Sequence, residues 1–152
     1  MERDELLERV SAETLATRNP ALIAQEASAG RFKLVERFSD EQTVVAALGI
    51  PAGEAFIAAL EALVNNPLAE DHPLRAYQAG IKRQMAFLKT TGIDVGSVVT
   101  QGMLDTLAAL NILDNNSVDQ IKGLAKVADP VSETEVRAIL WDRDGFWTLG
   151  EE

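Results

Sequence analysis

Asp71-His72 is the first place in this chain where two neighbouring side chains could share a proton. His72 is the sole histidine, so with Asp71 it could form a weak acid–base pair. A general base needs placed partners, and the sequence holds no G-x-S-x-G nucleophile elbow and no second histidine for a triad or a metal site. Between Asp71 and Pro73, His72 therefore reads as a solvated loop residue. The run Asp114-Asn115-Asn116-Ser117-Val118-Asp119 has the oxygen-rich look of a calcium loop. It lacks glycine at the sixth position, and Lys122 and Ala125 stand near where a coordinating carboxylate is required. Asp114 and Asn116 read better as ending one helix and capping the next. Gly49-Ile50-Pro51-Ala52-Gly53 is neither a P-loop nor a dinucleotide fingerprint, since no Gly-Lys follows and no strand precedes; it reads as a turn between helices. The 24 acids offer too many pairings to single out a hydrolytic carboxylate pair. There is no cysteine, which removes disulfides, thiolate nucleophiles and Cys-based zinc sites. These residues predict a protein that is not an enzyme and carries no cofactor and no metal.

Two other groups of residues have the chemistry of contact. Between His72 and Ile93 there are four basic residues, Arg75, Lys82, Arg83 and Lys89, and no acid. Arg75, Lys82 and Lys89 recur every seven residues and so form one helical stripe, either an ordinary basic surface or a docking strip for an acidic partner. The second group is the C-terminal stretch D-R-D-G-F-W-T-L-G-E-E, Asp142 to Glu152. Both tryptophans, Trp141 and Trp147, lie at this end with Phe146 beside the second. From Asp129 onward there are seven acids and two arginines, a formal −5. Aromatic side chains of this kind anchor interfaces. The stretch is too short to fold alone, so it packs on its own domain or on another chain. Charge makes the two groups complementary: an acidic aromatic arm of one subunit could dock beside the basic stripe of the next.

The elements that must position these residues read as short helices. Glu2 to Leu15 carries Leu6, Leu7, Val10 and Leu15 near helical spacing, with acids in its first turn. Asn19-Pro20 is an N-cap followed by proline, opening a helix to about Ala29 with Gly30 as its stop. Arg31 to Phe38 alternates like a strand but has no evident partner, so it reads as extended linker. Ser39-Asp40-Glu41-Gln42 is a capping box before a helix that Gly49 ends, and Pro51 opens the next, to Asn65. Asn65-Asn66-Pro67 breaks the chain. A helix from Leu74 to about Thr90 puts Tyr77, Ile81, Met85 and Leu88 on one face. Another, from about Ser97 to Leu110, aligns Val99, Met103, Leu107 and Leu110. Ser117 opens a helix to Val127 and Ser132 the last one, to near Trp141. The expectation is an all-α, compact single-domain bundle of about seven short helices over 1–141, with an aromatic and acidic tail at 142–152.

The 152 residues are enough for a real core, and a hydrophobic content of 47% with 25% charged is ordinary for a folded domain. A formal charge of −10 argues against nucleic acid and against an anionic membrane surface as partners. DNA mimicry is disfavoured because 14 basic residues are interspersed among the acids. The N-terminus M-E-R-D-E-L-L-E-R-V has no signal-peptide hydrophobic region, and no apolar run approaches the ~20 residues of a membrane span.

Three stretches carry a resemblance: E-L-L-E-R-V-S-A-E-T near the start, S-A-G-R-F-K-L-V at Ser28 to Val35, and L-A-K-V-A-D-P-V-S-E-T-E-V at Leu124 to Val136. In these caps and turns the chain resembles short uncharacterised proteins encoded among the virion and tail genes of tailed bacteriophages. The resemblance implies a structural place near the tail, in a virion assembled in the bacterial cytoplasm. It transfers no catalytic residue, and the aromatic tail after Leu140 is not part of it. The expected function is a non-enzymatic virion or tail-associated protein whose partners are other virion proteins or copies of itself, with Trp141, Phe146 and Trp147 as anchors and Arg75, Lys82, Arg83 and Lys89 as an electrostatic guide. The alternative is a phage-encoded acidic inhibitor of a host protein.

Overall fold

Ser11 divides the first apolar stretch in two. Its hydroxyl accepts the Thr14 N–H at 3.2 Å, so α1 (Arg3–Arg9) ends and α2 (Ala12–Ala16) begins where a single helix to Leu15 was expected. Side-chain competition for backbone donors is why serine favours such breaks. Asn19 caps α3 (Pro20–Ser28) through the N–H groups of Ala21 and Leu22, as its position before Pro20 predicts. Gly30, at φ +66°, supplies the left-handed turn after it. The structure is a computed structural model in which residues 1–150 are described; Glu151 and Glu152, the last two acids of the tail, lie outside the described residues.

The fold is mostly helical but not purely α. Arg31 to Phe38 is no plain linker: it contains β1 (Phe32–Leu34) and β2 (Phe38–Ser39). β2 leads into α4 (Glu41–Leu48), α5 (Ile50–Asn65), a 3₁₀ turn at Arg75–Tyr77 and α6 (Gln78–Leu88). β3 (Ile93–Asp94), α7 (Val98–Ala109), α8 (Asn115–Gly123), β4 (Lys126–Ala128) and α9 (Glu133–Leu140) complete the order. β1 pairs with β4, and β2 runs antiparallel to β3 with Phe38 opposite Asp94 and Ser39 opposite Ile93. The partners are two or three residues long, too short for alternation to show.

That pairing also moves a cap. Ser39 is a buried strand residue, and Asp40 caps α4 instead, accepting the Thr43 N–H and hydroxyl at 2.9 Å each. Likewise Asp114, not Ser117, caps α8, which ends at Gly123 before β4 rather than running to Val127. Ser132 and Glu135 form the expected capping box of α9.

The described residues cluster into two compact units, where one helical domain over 1–141 and a tail at 142–152 were expected. The first comprises residues 1–33 and 127–150. Its core is Leu6, Val10, Ile23, Ala24, Ala27, Val131, Val136 and Leu140 from α1, α3 and α9. Arg31 pairs with Glu5 and Asp129, and Ser28 Oγ accepts the Val131 N–H at 2.8 Å, fastening α3 to the approach to α9. The second comprises residues 34–126. Its core is built around Val44, Phe56, Leu60, Leu88, Leu107, Val118 and Ile121 from α4 to α8. Burying each such side chain contributes about 1.5–3 kcal/mol. Gly53 lets α4 and α5 touch: a Cβ there would stand 2.7 Å from Val45 Cα. Among the described residues no helix is long and apolar enough to cross a membrane.

Three carboxylates give the fold an acid limit. Hydroxyl and backbone hydrogen bonds from Thr14 and Ser11 hold the Glu26 carboxyl below the usual carboxylate range. The Thr43 N–H and hydroxyl do the same for Asp40, and the Ser132 N–H and hydroxyl for Glu135. Each favours the ionised form in the folded state. Their contribution is therefore complete above the usual range, at about pH 5 and up, and is lost as pH falls through the lowered folded values, below about pH 4. Urea midpoints followed by tryptophan fluorescence should be flat from about pH 7 to 5 and decline below about 4. Glu135→Gln should make that decline shallower; identical slopes would show that the Glu135 capping bonds do not contribute.

Candidate functional site

Two surfaces stand out, one in each unit. In the second unit, α6 packs on α5 and α7 on α8, and an apolar groove of about 420 Å³ opens between α6 and α7. Its walls are the two stripes the sequence shows. Ile81, Met85 and Leu88 come from α6, Met103, Leu104 and Leu107 from α7, and Leu60 from α5. On α6, Ile81, Met85 and Leu88 are buried; on α7, of the expected stripe Val99, Met103, Leu107 and Leu110, Leu107 is buried and Met103 half-buried, while Val99 and Leu110 are exposed. The mouth is open: Tyr77 is 58% and Val99 79% exposed, with Val98 more open still beside it. Gly80 also lines the groove, and a Cβ there would meet nothing within 4 Å, so the wall is low at that point. Among the described residues no carboxylate or basic side chain lines the groove. The sequence carries no signal that separates the exposed Val98-Val99 pair from adjacent apolar pairs that are buried, such as Phe56-Ile57 and Leu63-Val64.

The basic residues distribute around α6 rather than forming one free strip. Lys89 Nζ lies 2.8 Å from Glu61 Oε1 on α5, and that hydrogen bond, then the Glu61 charge, raises its pKa. Lys82 borders a shallow depression with Asn65, Asn66 and Pro67, on the edge of α6 that faces α5. Gln78 on the same edge donates to the Leu63 and Asn66 carbonyls. Arg75 stands in the 3₁₀ turn, immediately before the groove residue Ala76. Arg83 follows Gly80 by one helical step of three and so flanks the open wall. Arg75, Lys82 and Arg83 are exposed, and among the described residues none has a carboxylate within ion-pair distance.

In the first unit the tail is a closed hairpin. Trp141 and Trp147 form an antiparallel bridge, with ring centroids 4.7 Å apart at 72°, edge to face. The Arg137 guanidinium sits 5.9 Å from the Trp141 ring and Arg18 5.8 Å from that of Trp147. Both indoles are half-buried against the unit's own core, and Leu140 O accepts both the N–H and hydroxyl of Thr148. At the tip, Asp142 Oδ1 accepts the N–H groups of Asp144 and Phe146 at 2.9 and 2.8 Å, and Gly145 turns the chain at φ +84°. Two of the three expected aromatic anchors thus pack within their own unit. Phe146 alone of the three stands out, 69% exposed, on the turn that carries Asp142, Arg143 and Asp144.

The residues that suggested other chemistry have local tasks. His72 Nδ1 accepts the Leu74 N–H at 3.1 Å. The Asp114 carboxylate is occupied by the Ser117 N–H and hydroxyl. Among the described residues no group of three or more His, Asp or Glu side chains could hold a metal ion. Gly49 at φ +85° and Gly53 make the turn from α4 to α5. Compared with protein-family models, curated proteins and solved structures, the chain matches none of them.

Proposed function

We propose that this protein acts through protein–protein contacts, as a virion or tail-associated structural component of a tailed bacteriophage assembled in the host cytoplasm. The observation that carries the contact-making part is the groove between α6 and α7. Its walls are mainly aliphatic and thioether side chains, with Gln84, Ser97 and Thr100 among them, and Tyr77 and Val99 hold apolar surface in water at its mouth. Adjoining exposed apolar surface of this kind marks interaction sites, and methionines let such a surface repack on a partner. The phage part is supported by the caps and turns that resemble proteins of virion and tail gene clusters.

An antiserum raised against the chain tests this reading on gradient-purified particles from a lysate in which the chain is made. Co-migration with intact particles at a constant ratio to the other virion proteins is the expected result. Recovery only in the free-protein fractions, bound to one host protein, would replace it with the second reading, an acidic inhibitor. The formal −10 is the observation in that reading's favour.

A further inference from the structure

We infer that copies of this chain join head to tail, with Phe146 of one copy seated in the groove between α6 and α7 of the next. The inference rests on the contact-making reading above and names the partner. Both halves of the contact are present on one chain. The hairpin tip presents a single exposed phenyl ring on a turn held by the Asp142 carboxylate, so little conformational freedom remains to be lost on docking. The groove's volume of about 420 Å³ can take an aromatic side chain, and its open point is Gly80, where no Cβ narrows the entrance.

Charge favours this occupant. Asp142, Arg143 and Asp144 precede Phe146 on the turn and leave it one net negative charge, whereas Arg75 and Arg83 flank the groove and have no carboxylate of their own within ion-pair distance among the described residues. Groove-to-groove pairing of two copies would instead bring like charges together. The contact joins two different patches, so each copy keeps one free groove and one free tip, and association continues beyond a dimer until a ring closes or a filament grows. Trp141, Trp147 and Lys89 are not needed for it, since all three have partners within their own unit.

The test is the weight-average mass by sedimentation equilibrium, over a wide concentration range, of four samples: intact chain, Phe146→Ser, a groove variant, and a 1:1 mixture of the two variants. Val99→Glu is the groove variant of choice because Val99 is exposed and its change leaves the core alone; Gly80→Trp is the second. The intact chain should grow in mass with concentration, and less so at high salt. Each variant should associate about thirty-fold more weakly or worse. The mixture should recover association but stop at a 1:1 dimer, because it holds only one intact tip and one intact groove per pair. An intact chain that stays monomeric overturns the inference, as does a mixture no heavier than its components. Variants that associate as well as the intact chain also overturn it, yet leave the contact-making reading standing through another surface. Particle co-migration is scored separately, so the two readings fail independently.

Discussion

Gly96→Ala should lose about 3–5 kcal/mol of stability, enough to lower the melting temperature by about 15 °C or more or to prevent cooperative folding. A Cβ on Gly96 would stand 1.8 Å from the Val35 carbonyl oxygen and 2.8 Å from its carbon. Neither is the end of a flexible side chain, so the backbone must move. The Val35 N–H donates to Ala125 O at 2.9 Å, and the Asp94 carboxylate accepts the N–H groups of both Gly96 and Arg37. Displacing the Val35 segment loosens these bonds together, at about 1 kcal/mol each, on top of the overlap itself. Gly102→Ala is the matched control. It lies inside α7 with nothing within 4 Å of its Cβ, and should stabilise by about 0.5–1 kcal/mol through helix propensity. Thermal unfolding by circular dichroism reads both. A Gly96→Ala chain melting within a few degrees of the parent would mean that the close approach of Gly96 to Val35 is wrong.

Leu140→Ala should cost about 3 kcal/mol in the first unit. Leu140 is fully buried among Leu6, Ile23, Ala27 and Val136, and truncation leaves a cavity that rigid helices fill only in part. It is also the last residue of α9 and the base of the hairpin, through the bonds Thr148 makes to its carbonyl. Both tryptophans lie in this unit, so fluorescence reports it directly. The expected result is a urea midpoint lower by on the order of 1–2 M. The same change should weaken self-association, because Phe146 is carried on that base. An unaltered midpoint would show that the hairpin and α9 are held by something other than this core.

The helix boundaries were legible wherever one side chain decides them. Asn19 before Pro20, the Ser132–Glu135 box and the glycines at positions 30 and 49 act within four residues, and the structure holds each of them in the expected role. Boundaries set by remote residues were not legible. Ser39 and Asp40 are equally good caps on sequence grounds. The choice falls to Asp40 because Ser39 pairs with Ile93, which lies far along the chain. The strands fail for the same reason: Arg31 to Phe38 alternates, but its partners β3 and β4 lie far along the chain and, at two and three residues, are too short to show alternation of their own.

The candidate site divides along the same line. The sequence by itself determined that Tyr77, Ile81 and Met85 share a helix face, that Val99 and Met103 share another, and that the aromatic residues after Leu140 are surrounded by acids. These follow from helical geometry and charge, which are local. Only the tertiary structure decided that α6 and α7 stand apart as the walls of a groove, that Lys89 is paired with Glu61, and that Trp141 and Trp147 are packed within their unit while Phe146 is not. An apolar stripe has the same spacing whether it meets a neighbour or faces water. Which occurs depends on how much apolar surface the other helices have left to cover it, a property of the packed core and not of any one segment.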